Sequence, residues 1–354
     1  MSLNLDPRSF RDMLADPALA ETISAAAGCP LVTVEVPNAT RGRWLDGLDT
    51  TALPAVVLVV AADPACLPAG AVNAADVILT EDDCAPSPFI APPAGLDAAM
   101  EQLDARLALN PVAGTALALQ LRISAGLSVP AGLIAESATY SALQAGAEFR
   151  RWRASRPARE PEPDTGRVIV ENSAGALRIT LARPARRNAV DWRMRDALTE
   201  ALAAAVGAPD IRVLLRGDGP DFCAGGDLDE FGSRPDPALA HLIRLTRSPA
   251  MLLHTLADRT TAFLHGACLG AGIELPAFAA SVRATADSRI GLPEIGLGLI
   301  PGAGGTVSLA RRIGRWRTAF LALTGATISA EQALRWGLID AIDDEPTVAG
   351  PTLP

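Results

Sequence analysis

The sequence predicts a mixed α/β fold of stacked strand–turn–strand–helix units rather than a doubly wound sheet. Three observations carry this. β-branched stretches recur along the C-terminal half, several are followed by a turn containing glycine, and the first pair runs into a segment of helical period.

Residues 167–171 (RVIVE) and 176–181 (ALRITL) read as strands split by the turn 172–175 (NSAG). Residues 191–206 space leucines and alanines as a helix does. Residues 211–216 form a short strand ending in the turn 217–220 (GDGP). Residues 261–264 form another, and 273–280 read as a helix, with Pro276 tolerated in its first turn. In the N-terminal half, 31–36, 55–60 and 75–79 read as strands. There 96–109, 113–124 and 134–154 read as helices. The conformation of 231–245 is not legible.

The chain has 354 residues, enough for two domains. Residues 151–166 (RWRASRPAREPEPDTG) have no apolar period and read as a linker. This separates an N-terminal part, 1–150, from a C-terminal part, 167–345. Hydrophobic residues make up 49% and charged residues 20%, a globular composition. With 40 acidic and 31 basic residues the formal charge is -9, which argues against a nucleic-acid partner. There is no lysine, so a basic contact to phosphate must come from arginine or from backbone amides.

The five cysteines (Cys29, Cys66, Cys84, Cys223 and Cys268) form no C-x-x-C pair and read as buried thiols of a reducing compartment. Cys223 and Cys268 flank the segments of interest, but no base can be assigned to activate them. The first thirty residues lack a basic start followed by an apolar stretch, so no secretory signal is expected. The longest apolar run, 53–62, is half a membrane span. A cytoplasmic protein without a membrane partner is expected. No metal cluster, nucleotide fingerprint or flavin motif appears.

Chemistry concentrates in three places. Residues 224–227 read AGGD. Residues 265–275 read HGACLGAGIEL and contain Glu274. Residues 291–306 read GLPEIGLGLIPGAGGT and contain Glu294. Two carboxylates and two glycine-rich turns with available N–H groups suit proton transfer beside a polarised carbonyl.

These segments, with RPxxRNA at 183–189, FCAGGD at 222–227 and TGATISAEQALRWGLID at 324–340, resemble the enoyl-CoA hydratase/isomerase (crotonase) family over about 168–342. The resemblance implies a crotonase-like ββα superhelix preceded by a smaller α/β N-terminal domain with a helical cap. It implies an acyl-CoA thioester as substrate, no cofactor beyond the substrate's coenzyme A, no metal, and a homotrimer or hexamer. It assigns catalysis to Glu274 and Glu294, acting on one shared water, with burial raising at least one pKa towards neutral. It assigns an oxyanion hole to the amides of Ala224 and Ala271, the latter at a helix N-terminus. Substrate contacts would come from Arg187, Ala189, Gly226, Asp227 and Gly302. Arg187 also reads as a solvated arginine, Asp227 as a loop cap and His265 as a buried structural histidine.

The sequence departs from the family pattern at Ser281, where the family often has an acid, and at the pair Arg289–Ile290. The larger departure is that about a dozen residues follow the GLID motif, where the family continues with covering helices. Residues 96–158 are similar to those helices, including Glu136, Tyr140, Leu143 and Phe149. The expectation is a fusion of two crotonase-like units. The first kept its closing helices and lost its catalytic turns, and these helices would cap the site of the second, in the same chain or in a trimer neighbour.

Overall fold

In the computed structural model, residues 2–37, 45–67, 69–157, 166–173, 175–233 and 236–343 are described. The chain forms two compact units that interleave in sequence. The first comprises Met1–Arg159, Phe231–Thr246 and Leu292–Ala326, and the second Glu160–Glu230, Arg247–Gly291 and Thr327–Pro354.

The first unit opens with β1 (Ser2–Leu5), α1 (Pro7–Leu14) and α2 (Leu19–Thr22), then β2 (Leu31–Glu35), β3 (Val56–Val60) and β4 (Val77–Leu79). Asp6 caps α1 by accepting the Arg8 and Ser9 amides, and Pro7 stands where no N–H is needed. The four strands form one parallel sheet in the order β1-β2-β3-β4. Strands β2 and β3 are nearly all buried, as parallel strands covered on both faces should be. Phe10, Val34, Val57, Val59 and Ile78 form the core beneath them.

Four helices follow: α3 (Leu96–Leu109), α4 (Pro111–Ser124), α5 (Val129–Gln144) and α6 (Ala147–Ala154). The predicted helix 134–154 is two helices, because Gly146 adopts an extended conformation between them. Helix α6 ends at Ala154, inside the stretch read as linker, and 158–165 lie outside the described residues.

The second unit begins with β5 (Val168–Ser173), β6 (Ala176–Leu181) and α7 (Trp192–Val206), the predicted ββα unit. Asp191 caps α7 through the Met194 amide and pairs with Arg167 at 2.9 Å. Then come β7 (Arg212–Gly217), α8 (Pro237–Thr246, in the first unit), α9 (Pro249–Thr255), β8 (Thr260–Leu264) and β9 (Ala267–Leu269). The chain continues through α10 (Ala271–Glu274), β10 (Ser281–Ala284) and β11 (Arg289–Gly291). Helical residues Gly305–Thr324 of the first unit (α11) contain a break at Gly314, and β12 (Thr327–Ser329), α12 (Ala330–Trp336) and β13 (Ala341–Ile342) close the described chain.

The large sheet runs β13-β10-β8-β7-β6-β5, parallel except for the β5–β6 hairpin. A second sheet has the order β12-β11-β9. Each main-sheet strand β7, β8 and β10 is followed by a turn, and β8 and β10 lead directly to strands of the second sheet. This is the predicted α/β class with crotonase-like ββα units. The predicted helix 273–280 is different. Helix α10 stops at Glu274, and Pro276–Phe278 is a 3-10 turn. Pro276 has no N–H to continue the α-helical ladder.

Candidate functional site

The second unit brings two glycine loops into direct contact. Cys223 and Cys268 pair across an isolated parallel bridge. The Cys223 amide donates to the Ala267 carbonyl at 3.1 Å, and the Leu269 amide to the Cys223 carbonyl at 3.0 Å. Gly225 has φ +103°, and a Cβ there would stand 3.1 Å from the Leu269 carbonyl oxygen. A Cβ on Gly272 would stand 2.2 Å from the Cys223 carbonyl oxygen. Both glycines are therefore required for the loops to touch.

This contact determines which amides are available. The Ala224 amide donates to the Arg187 carbonyl at 2.9 Å. The expected assignment of Ala224 to an oxyanion hole is corrected on that ground, since its single proton is already engaged. The cause lies in the RPxxRNA turn, where consecutive left-handed residues, Arg187 and Asn188 at φ 53°, turn that carbonyl towards the loop. Buried Asn188 holds the turn by donating from Nδ2 to the Asp218 and Asp221 carbonyls, both at 2.8 Å. On either side of Gly226, the Gly225 carbonyl accepts from Val190 and the Asp227 amide donates to the Val190 carbonyl. The intervening Gly226 amide makes no hydrogen bond among the described residues. The Ala271 amide is likewise without an acceptor there, as the first N–H of α10 should be. Helix α10 has four residues, so its dipole adds little.

Glu274 ends α10, one turn beyond Ala271, with 2% of its surface exposed. Burial pushes the Cys223 thiol up to about 12, and the nearby Glu274 charge adds to the shift. Cys268 is raised too, chiefly by burial. Both remain thiols at neutral pH, which removes them as nucleophiles.

Arg187 pairs with Asp221 through Nε–Oδ2 at 2.6 Å while half of its side chain stays exposed. The Asp221 carboxyl is held low by the Arg187 hydrogen bond, and it also accepts the Ala267 amide at 2.7 Å. The Ala189 carbonyl and the Asp227 carboxylate both accept from Arg183 Nη1, at 2.9 and 2.7 Å. Asp227 further accepts the Asp229 amide at 3.0 Å, the loop-capping geometry. His265 contacts the Gly219 carbonyl through Nε2 at 2.9 Å. Arg289 is exposed.

Sequence reasoning missed Glu230, which accepts the Trp192 amide at 2.8 Å and whose pKa is raised by burial. A cavity of about 300 Å³ at the C-terminal ends of β7, β8 and β10 was also not anticipated. Arg216, His265, Arg283 and Asp343 are among its lining residues, and none of the loop amides or glutamates is.

Glu294 and Gly302 belong to the first unit. Glu294, 8% exposed, opens the 3-10 turn Glu294–Leu297, and its carbonyl accepts the Leu299 amide. Helices from the N-terminal half fasten this segment. Asn110 Nδ2 donates to the Ile295 carbonyl at 2.7 Å, and Gln102 and Arg106 donate to the Thr324 carbonyl. A Cβ on Gly298 would stand 2.7 Å from the Glu148 Cβ, and one on Gly302 would stand 2.5 Å from the Tyr140 ring. The reach of Asn110 to residue 295 was not legible in the sequence.

Stacked ββα units place the Gly226 and Ala271 amides, without acceptors among the described residues, on touching glycine loops, with buried Glu274 one helical turn beyond Ala271. Comparison with known proteins gives this arrangement its family. The enoyl-CoA hydratase/isomerase family model matches residues 171–353. The chain belongs to that family. A 2,3-dehydroadipyl-CoA hydratase of Escherichia coli K12 is 36% identical over 177 residues, 49% of this chain and 68% of its own. An enoyl-CoA isomerase/hydratase of Mycosarcoma maydis is 36% identical over 192 residues, 51% of this chain and 68% of its own. The crystal structure of an enoyl-CoA hydratase from Thermoplasma volcanium is 32% identical, covering 51% of this chain and 73% of that one with a TM-score of 0.48. Among the described residues, no helix is long and apolar enough to cross a membrane.

Proposed function

We propose that this protein adds water to a 2-enoyl-CoA to give a 3-hydroxyacyl-CoA, or runs the reverse dehydration, without a metal or separate cofactor. The thioester oxygen accepts hydrogen bonds from the Gly226 and Ala271 amides. These stabilise the enolate as it forms, and losing one donor costs about 10²–10³ in rate. Glu274 and Glu294 hold one water. One carboxylate removes its proton as oxygen attacks the β-carbon, while the other delivers a proton to the α-carbon from the same face, so addition is syn. General acid–base steps of this kind contribute about 10²–10⁴ each.

The observation that carries the reading is the pairing of two acceptor-free amides, on loops pressed together by Gly225 and Gly272, with a buried glutamate one helical turn away. The Gly302 amide orients the acyl group or the water. The exposed part of Arg187 offers positive charge to the phosphates of coenzyme A. Helices α3–α6 serve as a cap for the site, in the same chain or in a trimer neighbour. Assembly as a homotrimer or hexamer and a cytoplasmic site of action complete the proposal.

The test is water addition to short and medium 2-enoyl-CoAs by wild type, Glu274→Gln and Glu294→Gln. Wild type turns over, and each variant loses about 10²–10⁴ in kcat. An inert wild type that still binds coenzyme A would instead indicate a scaffold. Turnover of a 3-enoyl-CoA abolished by Glu294→Gln alone would indicate an isomerase.

A further inference from the structure

One face of α5 is laid along the Pro301–Thr306 turn in register. Gly132, Glu136 and Tyr140 recur every four residues and so share a helix face. A Cβ on Gly132 would stand 2.9 Å from Val307 Cγ2. Glu136 Oε1 accepts the Gly304 amide at 2.7 Å. Its Oε2 accepts the Thr306 amide at 2.9 Å and the Thr306 hydroxyl at 2.7 Å. Tyr140 covers Gly302, leaving no room for a Cβ. Thus 132 meets 307, 136 meets 304 and 306, and 140 meets 302, an antiparallel track.

Glu136 is 2% exposed, and these donors come from the first residues of α11 and its cap. A helix N-terminus leaves such N–H groups without partners, and a carboxylate is an acceptor on both oxygens. Gly304 has φ +109°, so the turn is held in a left-handed form at the point where Glu136 grips it. Helix α11 has no acidic residue in its own first turn. The acid arrives from the other half of the sequence.

We propose that Glu136 is a positioning residue for the reaction. Its carboxylate, carried by an N-terminal helix, fixes the turn that presents the Gly302 amide, so that helix sets where this amide stands. This rests on the hydratase reading above.

Glu136→Gln tests it with crotonyl-CoA as probe. The amide keeps the shape but turns an NH₂ group towards one of the backbone donors, so the turn shifts. The expected result is a kcat lower by about ten- to a hundredfold with KM within about twofold, because misplacement of a positioned group acts on the transition state. Thr306→Val removes only the hydroxyl donor and lowers kcat less. Asp76→Asn is the control for stability. It removes a charge from the buried pair with Arg122 in the same unit, and it lowers Tm while leaving kcat at the wild-type value. A wild type that hydrates no enoyl-CoA overturns the hydratase reading and this inference with it. An active wild type with Glu136→Gln at full kcat, whatever its Tm, overturns the inference alone.

Discussion

The two parallel sheets make an informative pair. Strands β1-β2-β3-β4 and strands β6-β7-β8-β10 each run parallel in sequential order. Beyond the strand ends they differ completely. In the N-terminal sheet the buried acid is Asp76, and its carboxylate takes the Val57 amide at 2.8 Å and the Arg122 guanidinium. Arg122 in turn donates to the Thr50, Leu53 and Ala55 carbonyls. Acid and base are mutually satisfied inside a packed core. In the C-terminal half the glycine loops after β7 and after β9 carry the Gly226 and Ala271 amides, which have no acceptor among the described residues, and the buried acid Glu274 lies one helical turn beyond Ala271. The same backbone order thus carries two different loop chemistries.

Several perturbations sharpen this contrast. The largest effect comes from deleting residues 1–160, which removes the partners of the Ile295 and Thr324 carbonyls and of the α11 N-terminus. The remainder should be insoluble or inactive. Recovery of a soluble, oligomeric, fully active fragment in size-exclusion and turnover measurements would disprove the cap. Next is Ala271→Pro. It deletes one N–H at the first helical position, where proline is tolerated, and should cost about 10²–10³ in kcat with little change in Tm. Unchanged turnover would remove Ala271 from the oxyanion hole.

Gly225→Ala forces a side chain into a positive-φ site against the Leu269 carbonyl and should cost about 1–3 kcal/mol by denaturant titration. The smallest effect is chemical. At neutral pH a thiol reagent should label exposed Cys84 and leave Cys223 and Cys268 intact until unfolding, because burial raises both pKa values. Rapid labelling of Cys223 in the native protein would contradict its environment.

Long periodic elements were legible before the structure. Strands 176–181 and 212–217 and helix 192–206 lie within a residue or so of their predicted positions, because alternation, helical spacing and the Asp191 cap agree locally. Motifs singled out Glu274, Glu294 and the Ala271 amide as candidates. Features depending on distant partners were illegible. Strand β1 is a short SLNL segment recognisable only by its pairing with β2. Helix α8 lies in the segment whose conformation could not be read, and Arg244 ties it to Ser137 on α5, more than a hundred residues earlier. The Ala224 assignment failed because the Arg187 carbonyl that engages it is aimed by two left-handed residues, a backbone state the letters R and N do not announce. The grip of Glu136 on the Thr306 turn spans 170 residues.

The most direct test of the central claim is hydration of crotonyl-CoA in D₂O with the product's stereochemistry read by NMR. Two carboxylates serving one water must deliver hydroxyl and deuteron to the same face, so a single syn diastereomer is expected. An anti or scrambled product would contradict the account.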